Sequence, residues 1–106
     1  MQRYPVRQSH RTNLTAPALE VIARRHFDAV ERDGERVRAR WGAIDRIEVA
    51  AEGRELRVDV GMNPKVPEPV AAETVRRYNA FLEEATGYSS KERAKRLRKA
   101  ATGREG

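Results

Sequence analysis

Apolar residues recur along this chain with two different periods. Between residues 14 and 27, Leu19, Ile22 and Ala23 fall at i, i+3 and i+4, the stripe of an amphipathic helix. Thr15 is placed to cap it, Pro17 is tolerated in its first turn, and Glu20 follows near the positive end. From residue 30 to 60 the period changes to two. Val37, Ala39 and Trp41 alternate with Arg36, Arg38 and Arg40, and Ile47 and Val49 alternate with Arg46 and Glu48. Leu56, Val58 and Val60 alternate with Arg57 and Asp59. Such alternation predicts half-buried strands. Helical spacing returns from Glu68 to Thr86, with Ala71, Val75, Tyr78, Phe81, Leu82 and Ala85 on one face and Gly87 placed to end the helix.

The turns set the expected pairing. Asp33-Gly34 is a two-residue hairpin signal that places Arg32 opposite Glu35, Glu31 opposite Arg36, and Val30 opposite Val37. Glu52-Gly53 places Val49 opposite Leu56, Ile47 opposite Val58, Glu48 opposite Arg57 and Arg46 opposite Asp59. A three-residue loop at 42–44 puts Arg38 opposite Glu48. Apolar pairs and opposite charges then share one register, and a slip of one residue would break both sets. Trp41 is expected on the apolar face, in the core.

Ser89, with Glu92 three residues on, forms a capping box that starts a third helix. It has only Ala94, Leu97 and Ala101 to bury, and one fully buried Leu contributes about 1.5–3 kcal/mol. It is therefore expected to project from the domain, with residues 102–106 disordered. The fold class that results is α+β: a four-stranded antiparallel meander with an N-terminal and a C-terminal helix on one face, plus a basic C-terminal helical extension. Residues 1–87 form the domain, of which 1–12 are a basic arm, and 88–106 form a partly disordered tail.

Tyr78-Asn79, Phe81-Leu82-Glu83 and the run from Ala85 to Arg93 with its basic continuation resemble the C-terminal signature of a small archaeal family. Its members have about 100 residues and carry only the label of a domain of unknown function. Tyr4-Pro5-Val6-Arg7 fits more loosely, and the likeness is strongest over residues 77–96. The resemblance implies an archaeal cytoplasmic protein with an α+β fold, and it implies no activity and no site residue.

Composition adds the distribution of charge. Of 106 residues, 36% are charged, and the net charge is +6. Residues 1–11 contribute +3 and residues 88–106 contribute +5, so the middle is slightly acidic. Two basic ends on a near-neutral body point to basic arms. The chain's basicity argues against a halophilic source. Leu, Ile, Val and Phe make up only 19% of the chain, close to the disorder regime, yet the quality of the strand patterns outweighs this for the middle of the chain.

Much chemistry is missing. Without cysteine there are no disulfides, thiolate metal sites or cysteine nucleophiles. No apolar run approaches a membrane span, and the N-terminus lacks the apolar region of a secretion signal, so a cytoplasmic location is expected. No glycine-rich phosphate loop is present. His10 and His26 have no carboxylate at metal-ligand spacing, and His26 suits the negative end of a helix. The strand carboxylates face arginines, which leaves none poised as a general acid. No enzyme activity, cofactor or metal is expected.

The polar face of the sheet gathers Arg36, Arg38, Arg40, Arg46 and Arg57, but it also carries Glu31, Glu48, Glu55 and Asp59 and no aromatic. It reads as a charge-laced structural surface more than as a binding platform. The expected function is a nucleic-acid or ribonucleoprotein accessory protein. Lys91, Arg93, Lys95, Arg96, Arg98 and Lys99 contact phosphates, supported by Arg3, Arg7 and Arg11. Binding should be sequence-tolerant and salt-sensitive, with structured RNA weakly favoured. The alternative is a protein-interaction module that binds an acidic partner or forms a homodimer through a sheet edge.

Overall fold

Gly34, Gly42 and Gly53 have φ of +62°, +54° and +62°, and each opens a two-residue turn between antiparallel strands. The computed structural model describes residues 2–103, with side chains for residues 2–98. Its strands are β1 (Gln2–Pro5), β2 (Asp28–Asp33), β3 (Arg36–Trp41), β4 (Ile44–Glu52) and β5 (Glu55–Met62). They form one sheet in the order β1-β5-β4-β3-β2. The helices are α1 (Ala16–His26), α2 (Glu68–Thr86) and α3 (Ser90–Gly103), with a 3-10 segment over Gln8–Asn13.

The glycines correct the expected register. Asp33 pairs with Arg36 and Glu52 pairs with Glu55, so the turns are Gly34-Glu35 and Gly53-Arg54. Positive φ at the first central residue alone is the pattern of a type II′ turn. The expected arrangement, with glycine second, would have demanded positive φ at Asp33 and Glu52 as well. Both hairpins therefore shift by two residues. Val49 lies opposite Val58 and Glu48 opposite Asp59, while Arg57 faces Ala50. In the other hairpin Arg32 faces Val37 and Glu31 faces Arg38. A shift of two preserves every side chain's face, so the apolar layer forms as expected. Arg38 does lie opposite Glu48. The β2–β3 ladder is interrupted between Asp28 and Glu31, where Ala29 takes φ +52°.

The sheet has five strands where four were expected. β1 pairs with β5, setting Arg3 opposite Arg57 and Tyr4 opposite Leu56. The start of the presumed basic arm is thus an edge strand, ended by Pro5, which suits an edge position.

α1 starts where the sequence indicates, with the Thr15 hydroxyl accepting the Ala18 N–H at 3.3 Å. Leu19, Ile22, Phe81, Leu82 and Ala85 of the helical layer pack with Val37, Ala39, Ile47, Val49, Leu56 and Val58 of the sheet. Val75 is 48% exposed, and Thr74 takes the buried position beside it. The Thr74 hydroxyl donates to the Val70 carbonyl at 2.7 Å and accepts the Ala43 N–H at 3.0 Å. That second bond ties α2 to the β3–β4 turn. Trp41 is only half-buried at the border of the core, with the Arg77 guanidinium 4.5 Å from its ring centroid. The β3–β4 ladder is irregular between Ala39 and Trp41, which takes the ring out of strict alternation.

Among the described residues, no helix is long and apolar enough to cross a membrane.

Candidate nucleic-acid interface

The third helix begins as its capping box dictates. The Ser89 hydroxyl accepts the Glu92 N–H at 3.3 Å, and the Glu92 carboxylate accepts the Ser89 N–H at 3.1 Å. That bond, with Arg7 and Arg96 nearby, holds the Glu92 carboxyl below the usual carboxylate range. Gly87 ends α2 in the left-handed conformation, φ +80°, and reverses the chain into α3. A side chain there would meet backbone strain, and its Cβ would lie 2.7 Å from the His10 ring unless that ring moved.

The helix does not project freely over its first turns. It packs against β1 and α2, and the residue that anchors it is an arginine. Arg93 is 3% exposed. Its guanidinium donates to the Tyr88 carbonyl at 2.6 Å and to Asn79 Oδ1 at 2.8 Å, and lies 5.8 Å from the Tyr4 ring centroid. Burial pushes its pKa down. Leu97 is half-buried, whereas Ala94, expected on the buried stripe, is exposed. The helix continues to Gly103, which covers residues 102 and 103 of the segment expected to be disordered; residues 104–106 lie outside the described residues.

Arg7 joins the two ends of the chain. Its backbone N–H donates to the Thr86 carbonyl at 2.8 Å, and its side chain donates to the Gly87 carbonyl at 3.1 Å and to Glu92 at 3.2 Å. Arg7 and Arg96 both lie over the ring of Tyr88, at 4.6 and 4.3 Å from its centroid, and Tyr88 is itself buried.

The nine cations singled out in the sequence therefore divide. Arg93 faces inward and is occupied. Arg7 and Arg96 cover Tyr88. Lys91, Lys95 and Arg98 are exposed and, at 100° per residue, fall on the side of α3 opposite Arg93 and Leu97. The Lys99 side chain lies outside the described residues. Arg11 is exposed on the 3-10 segment, and Arg3 belongs to the open sheet face, 3.1 Å from Glu52. Tyr88 and Asn79, which hold the helix in place, were missed as anchors. Apolar periodicity does not mark a site built around a buried guanidinium. The one available signal was a large aromatic wedged between a helix-ending glycine and a capping serine.

The open face of the sheet is laced with ion pairs. Arg38 donates to Glu48 at 2.8 Å and sits 3.4 Å from Asp33, Arg36 lies 3.8 Å from Glu48, and Arg46 lies 3.2 Å from Asp59. The hydrogen bond from Arg38 lowers the pKa of Glu48. Neutralised in this way, the face offers little net field to a polyanion. At the end of α1, His26 Nε2 lies 2.8 Å from Glu84, which also pairs with Arg25. Burial, with Arg77 and Arg25 close by, lowers the pKa of His26, so the neutral ring donates Nε2–H to the carboxylate. Among the described residues, no three His, Asp or Glu side chains form a group that could hold a metal ion.

A family model described as a domain of unknown function (DUF5611) matches residues 1–99. The chain is also similar to a hypothetical protein from Thermoplasma acidophilum, whose structure was solved in solution by NMR. The two are 31% identical and superpose with a TM-score of 0.67, over 92% of this chain and 97% of that one. No curated protein matches.

Proposed function

The chain belongs to the DUF5611 family, whose description assigns no activity, and from the chain's own residues we propose a non-enzymatic protein that binds the phosphate backbone of nucleic acid. The observation that carries this is the orientation of α3. With Arg93 and Leu97 turned inward, Lys91, Lys95 and Arg98 stand together on the outward face. Three cations at i, i+4 and i+7 make a straight ridge suited to phosphates. Base readout would instead need bidentate groups aimed into a groove.

Sheet-edge dimerisation has less to support it. β1 has four residues and ends in proline, while β2 is irregular, with Asp28, Glu31, Arg32 and Asp33 exposed. Both features blunt an edge.

Fluorescence anisotropy with a labelled structured RNA across a salt series tests the proposal. Each phosphate contact contributes about 0.7–0.9 to the slope of log K against log salt. The double variant Lys91→Ala/Lys95→Ala should flatten that slope by about 1.5. An unchanged slope and affinity would reduce the ridge to a solvated surface. Copurification that persists after nuclease treatment would instead favour an acidic protein partner.

A further inference from the structure

All six aromatic residues of the chain lie within the described structure, and none of them is exposed. Phe27 and Phe81 pack in the core with ring centroids 5.1 Å apart. The remaining rings, nearer the surface, are engaged by other side chains. Tyr88 carries Arg7 and Arg96, Trp41 carries Arg77, and Tyr4 has Arg93 near its ring. The Tyr78 hydroxyl lies 3.4 Å from that of Tyr4. Proteins that hold single strands stack the unpaired bases on aromatic rings set along a basic groove. A base could stack on Tyr88 or Trp41 here only by displacing a guanidinium.

The outward cations complete the contrast. Lys91, Lys95 and Arg98 fall within about 60° of one another around α3 and span about 10 Å along it. Over that length a double helix presents about six phosphates on its two strands. A narrow band of charge addresses the phosphate rail from outside. A helix inserted into a groove would need cations on both flanks.

We infer that the ligand is a double helix, gripped by its backbone with the bases left stacked and paired, and that single strands are discriminated against. This rests on the proposed binding of phosphate by α3.

The test uses the full chain and three labelled probes of equal length, about 16 nucleotides per strand: an RNA duplex, a DNA duplex and an unstructured oligouridine. Fluorescence anisotropy at moderate salt should show the better duplex binding at least tenfold tighter than oligouridine. Fluorescence of Trp41, the sole tryptophan, should not change when oligouridine is added. Tyr88→Leu, which keeps an apolar side chain under Arg7 and Arg96, should leave the preference intact. Oligouridine binding as tightly as the duplexes, with quenching of Trp41 or loss in Tyr88→Leu, would overturn the inference while leaving phosphate binding standing. Failure of all three probes to bind at low salt would overturn both. Tight binding of one duplex and not the other would support the inference and identify the helical form.

Discussion

The Arg93 guanidinium donates to the side-chain oxygen of Asn79 at 2.8 Å, joining α3 to α2 through a buried charge. The same group donates to the Tyr88 carbonyl, so its two partners come from two different segments. Hydrogen bonds to charged groups contribute about 1.5–3 kcal/mol, and truncation leaves the acceptors unpaired. Arg93→Ala should therefore lower stability by about 2–3 kcal/mol in urea denaturation and reduce helix content. Arg93→Lys should recover only part, because an ammonium lacks the planar fork that reaches both acceptors. Full stability in Arg93→Ala would mean that α3 is held by other contacts.

The register makes a sharp prediction about coupling. Arg38 and Glu48 are opposite one another and hydrogen-bonded, whereas Arg57 faces Ala50. A double-mutant cycle on Arg38→Ala and Glu48→Gln should give a favourable coupling. The same cycle on Arg57→Ala and Glu48→Gln should give none beyond error. Equal coupling in the two cycles would contradict the observed pairing.

Glycine substitutions separate strain from steric clash. Gly34 has positive φ but open space around its missing Cβ, so Gly34→Ala should cost about 1–2 kcal/mol. Gly42 has positive φ, and its Cβ would lie 2.5 Å from the Thr74 hydroxyl oxygen. Gly42→Ala adds displacement of α2 to the backbone strain and should cost on the order of 3 kcal/mol or more. Thermal denaturation of both variants checks the order. Equal costs would mean that the Thr74 contact yields easily.

Two titrations shape stability on the acid side. His26 is held below its ordinary value of 6.5 in the fold, so the unfolded chain takes up its proton first. Stability should start to fall as pH drops below 6.5 and level off once the folded ring is protonated too. His26→Gln, which can still donate to Glu84, should remove this step. Glu48 acts in the same sense at lower pH: its lowered pKa contributes stability above the ordinary carboxylate range, lost as pH falls through the folded value. Glu48→Gln should flatten that later limb. Melting curves between pH 7.5 and 3 separate the two, and no change near pH 6.5 in the parent protein would refute the His26 assignment.

Much of the fold was legible in local patterns. Both main helices, the Thr15 cap, the Ser89–Glu92 box and the apolar face of every central strand follow from spacing alone. The pairing register was not legible, because Asp33-Gly34 and Glu52-Gly53 each permit two turn types with glycine in different positions. Only the backbone φ values separate them. β1 was hidden because its four residues place only Tyr4 against the core, too little for a periodic signal. The likeness visible at residues 77–96 extends, in the family match, over residues 1–99. The candidate interface was half legible. Its charge was evident, but the inward turn of Arg93 depends on Tyr88, Asn79 and β1, which lie on three separate segments. For the same reason, deleting residues 90–106 would remove an anchor along with the ridge, and surface substitutions are the cleaner probe.

The edge pairing of β1 with β5 carries a cost in time. Arg3 and Arg57, opposite one another in the sheet, are separated by roughly fifty residues of chain. At about 5–20 residues per second, a ribosome needs several seconds to make that stretch. Through this interval Gln2–Pro5 has no strand to join, and Arg7 lacks the Thr86 carbonyl it will bond, which is made later still. The meander from β2 to β5 can assemble hairpin by hairpin as it emerges. The outermost strand must wait for β5, and the helix docked beside it, made last of the elements, closes the molecule.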